Sequence, residues 1–551
     1  MGHYKAVDFI KVSKTRTGLL GGALIGAFLT LQAGPVTAAP LDFKVTAYKQ
    51  AVAEGLGGVE GIASFYRARD FAPIWTGDDA DSQARRLALI EAFGMADVHG
   101  LPTQRYNAQN LMNKMAAART DRDRGLLEVE LSETFISFAN DLQSGIIDDP
   151  ERVDNQIKRE LPRRAAEDLL TRLTSEAPET VLRGLVPQTA EYSRLMRAKL
   201  MLERKIRQGG WGPRVSASKL EPGQSGNAVV ALRDRLVSMG YLTQSLSGSY
   251  DSAMTAAVRQ FQEDHGLEAD GVAGSSTLTA INVAPEERLK SIIVAMERER
   301  WMNIEGGRGK RHVLVNLTDF HAQVIDDDKV TFETRSVIGH QDADRRTPEF
   351  SDSMSHIVIN PYWYVPRSII VGEYLPLLRS NPGAVGHMDI IDSRGRVVSR
   401  GQSFARYSAR SFPYSMRQRP GPRNALGSVK FMFPNKYNIY LHDTPSQHLF
   451  AREVRAFSHG CIRLDDPHEF AYALLALQES DPETYFQNIL RSGQNTRVNL
   501  DEAVPVHLIY RTAFTPAKGH VNYRPDIYNR DAKIWEALQV EGVSLMTQWD
   551  S

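Results

Sequence analysis

The hydrophobic period of this chain changes near Arg311, and that change decides what it can fold into. Before it, apolar residues recur at helical spacing. Residues 81–93 place Leu87, Leu89, Ile90 and Phe93 on one period. Residues 126–142 repeat it with Leu127, Leu131, Phe135, Phe138 and Leu142, and Gly145 supplies a helix stop. Residues 192–206 read as a further helix through Leu195, Leu200 and Leu202. After Arg311 the pattern is that of strands: 313–317, 322–325 and 330–338, the last two separated by the turn Asp326-Asp327-Asp328. Segments 354–360, 429–433, 437–441 and 505–512 read as further strands, and 467–477 and 482–490 as helices. A chain of 551 residues exceeds one typical domain. The expected class is multidomain α+β, with an α-helical scaffold preceding a β-rich, sandwich-like domain.

Between these halves lies a Gly/Pro/Ser-rich linker, then a compact unit at 224–283 with amphipathic helices at 229–239 and 253–265. Residues 285–301 form a charged helix expected to link this unit back to the scaffold. A long insert at 367–422 interrupts the β-rich domain. It carries Tyr374, Tyr407, Phe412, Tyr414 and many arginines, a composition that suits a lid over an anionic peptide. Asp70 and Trp75 sit in a segment that reads as a buried turn with an anchoring tryptophan.

The first 39 residues read as an export signal: Lys5, Lys11, Lys14 and Arg16, then an apolar run of 14 residues from Gly18 to Leu31, then the small-residue site Val36-Thr37-Ala38. An uncleaved anchor is the other reading, although the run is short for a span of ~20 residues. Either way the expected location is the periplasm. Lys+Arg and Asp+Glu both number 66, which argues against a general nucleic-acid partner.

The single cysteine of the sequence, Cys461, sits in Ser458-His459-Gly460-Cys461-Ile462-Arg463-Leu464. One cysteine makes no internal disulfide, so a nucleophile is the leading expectation. A free thiol at neutral pH is only about 3% thiolate, so it needs a base or a positive partner. His442, separated from Ser458 by 15 residues, is the candidate base. His459 is better suited to orienting the loop. Gly460 permits close approach of substrate, and the Gly460 and Cys461 N–H groups are candidate oxyanion donors. Arg463 could clamp a substrate carboxylate or pair with Asp465 or Asp466.

His442 followed at this distance by Ser-His-Gly-Cys-Ile-Arg resembles the signature of the YkuD-type L,D-transpeptidases. Asn360-Pro361-Tyr362-Trp363 and Gln418-Arg419-Pro420-Gly421 extend the likeness over about 310–512. The 224–283 unit, with Tyr250-Asp251, Phe261-Gln262 and Asp270-Gly271-Val272, resembles the three-helix peptidoglycan-binding module. Together they resemble the large, YcbB-like periplasmic branch. The residue patterns and the resemblance together give these expected divisions: signal peptide 1–39, scaffold 40–222, peptidoglycan-binding domain 223–284, linking helix 285–304, catalytic domain 305–512 with its lid at 367–422, and a C-terminal extension 513–551 packing on the scaffold or the catalytic domain.

It also implies a mechanism. Cys461, as thiolate paired with His442, attacks the diaminopimelate carbonyl of a tetrapeptide stem and releases D-Ala. A second stem's amine then resolves the thioester into a 3→3 cross-link. The Asp443 backbone carbonyl would orient His442. No ATP is needed, because the cleaved peptide bond supplies the energy; no cofactor is expected, and no metal, since the sequence has no His-Glu-x-x-His and His468-Glu469 is not spaced as a ligand pair. Implied partners are donor and acceptor stem peptides, other murein synthases, and carbapenems as covalent inhibitors. Other readings remain open: L,D-carboxypeptidase or D-amino-acid exchange through the same thioester, a zinc murein peptidase, and a non-catalytic wall-binding protein.

Overall fold

The computed structural model describes residues 46–58 and 60–545; the expected export signal lies outside them. Among the described residues no helix is long and apolar enough to cross a membrane.

The scaffold helices form where the apolar period placed them, and local chemistry sets their ends. Helix Ala80–Gly94 starts at Asp79, whose carboxylate accepts from the Ser82 N–H. The long helix Asp121–Ser144 starts at a capping box between Thr120 and Asp123 and stops at Gly145, at φ +100°. A Cβ at Gly145 would stand 2.5 Å from the Glu297 carboxylate and 2.7 Å from Trp301 Nε1. Of the Asp70–Trp75 turn, Ile74 and Trp75 are buried as expected of the anchoring tryptophan, whereas Asp70 is exposed. The Glu128 carboxylate accepts from the Ile74, Trp75 and Thr76 N–H groups, and Trp75 Nε1 donates to Ser132 Oγ at 2.9 Å.

Helices Asn227–Met239, Ser252–Asp264 and Ser275–Ile281 enclose their own core, built on Leu232, Leu236, Tyr250, Val258, Phe261 and Ile281. This is the three-helix module expected from its sequence.

Helix Pro285–Trp301 reads as charged yet is buried along most of its length. The charges of its last turns are paired inside the protein. Arg298 reaches Glu349 at 2.5 Å and Asp531 at 2.9 Å, Arg300 reaches Glu297 at 3.0 Å, and Glu299 accepts from Arg308 at 2.8 Å and pairs with Arg511. Leu289, Ile292 and Ile293 join the scaffold core. The helix is therefore an axle between scaffold and β-domain. The C-terminal extension packs on both: Ile534, Trp535 and Leu538 enter the scaffold core, while Tyr528 enters the β-domain core and donates to Gly339 O at 2.5 Å.

The β-domain is one sheet of nine strands: β1 (Arg311–Asn316), β2 (His321–Asp326), β3 (Lys329–Gly339), β4 (Phe350–Ile359), β5 (Val429–Met432), β6 (Leu441–His442), β7 (Ala456–Ser458), β8 (Ile462–Leu464) and β9 (Thr496–Ile509). Their order is β7-β3-β8-β6-β5-β4-β9-β1-β2. Because β2 also pairs with β3, the sheet closes on itself around a core of Val313, Val315, Ile357, Phe431, Leu441 and Leu508. Closure leaves β7, which among the described residues pairs with β3 alone, at the end of the order. One strand differs from expectation: of 437–441, only Leu441 pairs. Asn435 folds the preceding residues into a turn, its Oδ1 accepting from Tyr437 N and Ile439 N, and Asn438 takes φ +56°.

The insert is a small subdomain with its own core (Ile369, Leu378, Ile390, Phe404, Phe412, Met416) and a three-stranded sheet, Trp363–Tyr364, Ser415–Gln418 and Met388–Ile391. Much of its arginine content is internal bracing. Arg400 donates to four backbone carbonyls, and Arg417 and Arg419 hold Asp389.

Candidate active site

Two short strands frame the cysteine. β7 pairs with β3 at Ile338 and Gly339, and β8 pairs with β3 at Ser336 and Val337. Both ends of the intervening turn, His459-Gly460-Cys461, are thus fixed by one long strand. Gly460 makes the turn possible: it takes φ +112°, and a Cβ there would meet Ile439 Cδ1 at 3.2 Å. The turn is pinned again from below. Thr347 Oγ1 donates to Gly460 O at 2.8 Å, and Ser458 Oγ donates to Cys461 O at 2.5 Å.

The Gly460 N–H donates to Ser458 Oγ at 3.0 Å. This corrects one expectation: the Gly460 amide is already committed, so of the two backbone donors only that of Cys461 is left for an oxyanion.

β8 runs parallel to β6, pairing Ile462 with Leu441 and Arg463 with His442. Alternation along each strand therefore puts Cys461 and Arg463 on the face that carries Tyr440 and His442. Lys430 of β5 pairs with His442 and joins that face. Its Nζ lies 5.7 Å from the Tyr440 ring centroid, and the Tyr440 and His442 rings stand 5.7 Å apart. Lys430 and Tyr440 are site residues the sequence reading missed. Lys430 is a lone charge in an apolar strand, and Tyr440 precedes His442 by two, the same-face spacing of a strand; both signals are legible only once the strand pairing is known.

His442 is 4% exposed, and its Nδ1 donates to Asp443 O at 2.5 Å, as expected of the orienting carbonyl. That bond fixes the proton on Nδ1 and leaves Nε2 as the basic nitrogen. The Asp443 carboxylate does not face the imidazole. It accepts from Ser428 N and Oγ, both at 2.7 Å, packed so tightly against Gly427 that a Cβ there would fall 2.2 Å away.

Burial, with Arg463 and Lys430 nearby, holds the His442 imidazole down at about 3. Burial pushes the Cys461 thiol up to about 11 against the opposing pull of Tyr440, Arg463 and Lys430. The resting pair is therefore neutral thiol and neutral imidazole. The thiolate expected at rest is replaced by a thiol that gives up its proton during attack.

Arg463 has no carboxylate partner among the described residues, and its buried Nε makes no hydrogen bond. Asp465 is taken by Arg335 at 2.6 Å and Asp466 by Thr334 at 2.9 Å. Of the two expected roles for Arg463, the loop brace has lost its partners. His459 is exposed, and its Nε2 donates to Glu373 Oε1 of the insert at 2.7 Å. This agrees with a role in orienting the loop.

Comparisons with known proteins match this architecture part by part. Residues 310–499 match the family model described as "L,D-transpeptidase catalytic domain" (YkuD), residues 225–281 that described as "Putative peptidoglycan binding domain", and residues 60–198 a "Scaffold domain". The β-rich part of the chain is thus similar to the YkuD L,D-transpeptidase catalytic domain. A Haemophilus influenzae protein named "Putative L,D-transpeptidase" is 34% identical over 224 residues, 40% of this chain and 45% of the relative. The match thus spans less than half of that relative's length. Among solved structures, the L,D-transpeptidase of Xylanimonas cellulosilytica is 15% identical, covering 54% of this chain and 100% of its own, at TM-score 0.17. That of Stackebrandtia nassauensis is 16% identical, covering 54% and 97%, at TM-score 0.21. Scores this low carry no structural argument. The likeness to that family rests on the catalytic-domain match at 310–499 and on the motif that the fold brings together.

Proposed function

We propose that this protein is a periplasmic murein L,D-transpeptidase that forms 3→3 cross-links between diaminopimelate residues through a Cys461 thioester. The observation that supports it most is the shared face of Cys461, His442, Lys430 and Arg463: a nucleophile, an oriented base and two cations without carboxylate partners. As Cys461 Sγ attacks the donor carbonyl, its proton passes to His442 Nε2. With an imidazole this hard to protonate beside two cations, transfer and attack belong to one step. The Cys461 N–H faces the developing oxyanion. The intermediate collapses when the proton moves from Nε2 to the departing D-Ala amine, leaving the thioester. The acceptor amine then attacks the thioester, His442 takes its proton, and the thiol leaves reprotonated. Lys430 and Arg463 suit the carboxylates of the acidic stems.

The test is incubation with a disaccharide-tetrapeptide followed by mass spectrometry. Dimer formation with loss of D-Ala, absent in Cys461→Ala, is expected. Tripeptide without dimer would make the protein an L,D-carboxypeptidase, and incorporation of added D-amino acid would make it an exchange enzyme.

A further inference from the structure

A cavity of about 540 Å³ opens where the scaffold, the three-helix module and the C-terminal extension meet. It lies apart from the cysteine, and no role in the proposed chemistry requires it. Its charge is one-sided: Arg194, Arg197, Lys205 and Arg288 line it, and no carboxylate does. Arg194 is held by Glu191 at 3.1 Å and by Thr515 at 2.8 Å. The other three cations are free of carboxylates. Arg197 and Lys205 make no ion pair or side-chain hydrogen bond among the described residues. Arg288 donates to Ala280 O at 3.1 Å and lies 4.5 Å from the Tyr523 ring centroid. Two acids stand behind the wall: Glu191, which holds Arg194 and Thr515, and Asp264, which faces His520 at 3.2 Å. Trp211, Tyr241 and the 63%-exposed Met201 give the same cavity an aromatic and apolar surface.

A cleft lined by cations alone concentrates an anion, and its aromatic walls suit the face of a sugar. The cleft on the module itself is different. It spans about 560 Å³ and mixes Arg259 with Asp251 and Glu263, so it offers an acidic peptide no net attraction. We propose that the junction cavity is a second, non-catalytic murein site that holds a carboxylate-bearing stem peptide of the polymer. The identity of the ligand rests on the murein reading above; the anion preference rests on the lining alone.

The test uses the full chain with Cys461→Ala, titrated with disaccharide-tetrapeptide and with the same probe carrying amidated carboxyls. Two equivalents of the acidic probe are expected to bind, falling to one in the Arg197→Glu/Lys205→Glu variant, with the weaker site losing tenfold or more in affinity. The amidated probe is expected to bind both proteins alike. In the Cys461 background, dimer formation at saturating soluble probe should be unchanged by the double substitution. Equal stoichiometry and affinity in both proteins would overturn the site, as would an equal loss for the amidated probe. If charge reversal shifts the melting curve, the neutral Arg197→Gln/Lys205→Gln pair replaces it with the same outcomes. Loss of one equivalent without any dimer formation would retain the cavity and remove the transpeptidase reading.

Discussion

His459 Nε2 donates to Glu373 Oε1 at 2.7 Å, so a residue two positions from the nucleophile ties the insert to the turn that carries Cys461. Arg345 approaches the same carboxylate at 4.0 Å. The pair is partly solvated, and such contacts contribute about 0.2–1 kcal/mol. Glu373→Gln is therefore expected to raise amide exchange in Ile370–Tyr374 and to lower kcat/KM for the donor by up to about fivefold, with the melting curve unmoved. Unchanged exchange would show that the insert is held by other contacts.

The neutral resting pair makes a separate prediction about Cys461. With the thiol near 11, alkylation by iodoacetamide should be slow at pH 7 and still rising above pH 9. Lys430→Met removes one of the cations that favour the thiolate and should move the profile further up. His442→Ala should cost about 10²–10⁴-fold in turnover. A midpoint of alkylation near pH 7 would mean a preformed thiolate and would refute the neutral pair.

What could be read in the sequence follows from which interactions are local. Apolar period, caps and turn glycines placed the scaffold helices and the module, because each depends on residues a few positions apart. The pairing of Cys461 with His442 was legible because a motif records it. Long-range pairing was not. Nothing local says that β2 meets β3 and closes the sheet, that Ser458 consumes the Gly460 amide, or that Lys430 lies opposite His442. The helix Pro285–Trp301 was the hardest to read, since its charges match those of a solvated face and their partners lie far along the chain.

That helix gives a stability prediction. Arg298, with its side chain 4% exposed, bridges Glu349 and Asp531 from different parts of the fold. Arg298→Leu would leave both carboxylates buried, with Arg530 and Thr512 as their remaining partners. Breaking a buried pair from one side costs about 3–5 kcal/mol. The urea midpoint should fall accordingly, read on the full chain. A loss under ~1 kcal/mol would show that Arg530 carries the network alone.

Buried histidines set the pH dependence of stability. Burial holds His99 at about 4 and His442 and His507 at about 3 in the folded protein, while an unfolded imidazole titrates near ~6.5. Below that value the unfolded chain binds more protons than the folded one. The stabilisation is thus complete above about pH 6.5 and is lost as the pH falls toward 4, by up to about 1.4 kcal/mol per pH unit for each histidine. His321 and His520, raised by Asp319 and Asp264, oppose the loss, but burial also lowers His265, His312 and His356, so they are two against six. His507 shows why protonation is resisted: its Nε2 donates to Arg308 O at 3.0 Å, while its Nδ1 accepts from Ser351 Oγ at 2.8 Å, a bond an imidazolium cannot accept. Melting temperature should therefore fall steadily from pH 6.5 to 4, and His507→Gln should shallow that slope while lowering stability at pH 7. A flat profile over this window would mean that these imidazoles are solvated in the folded protein.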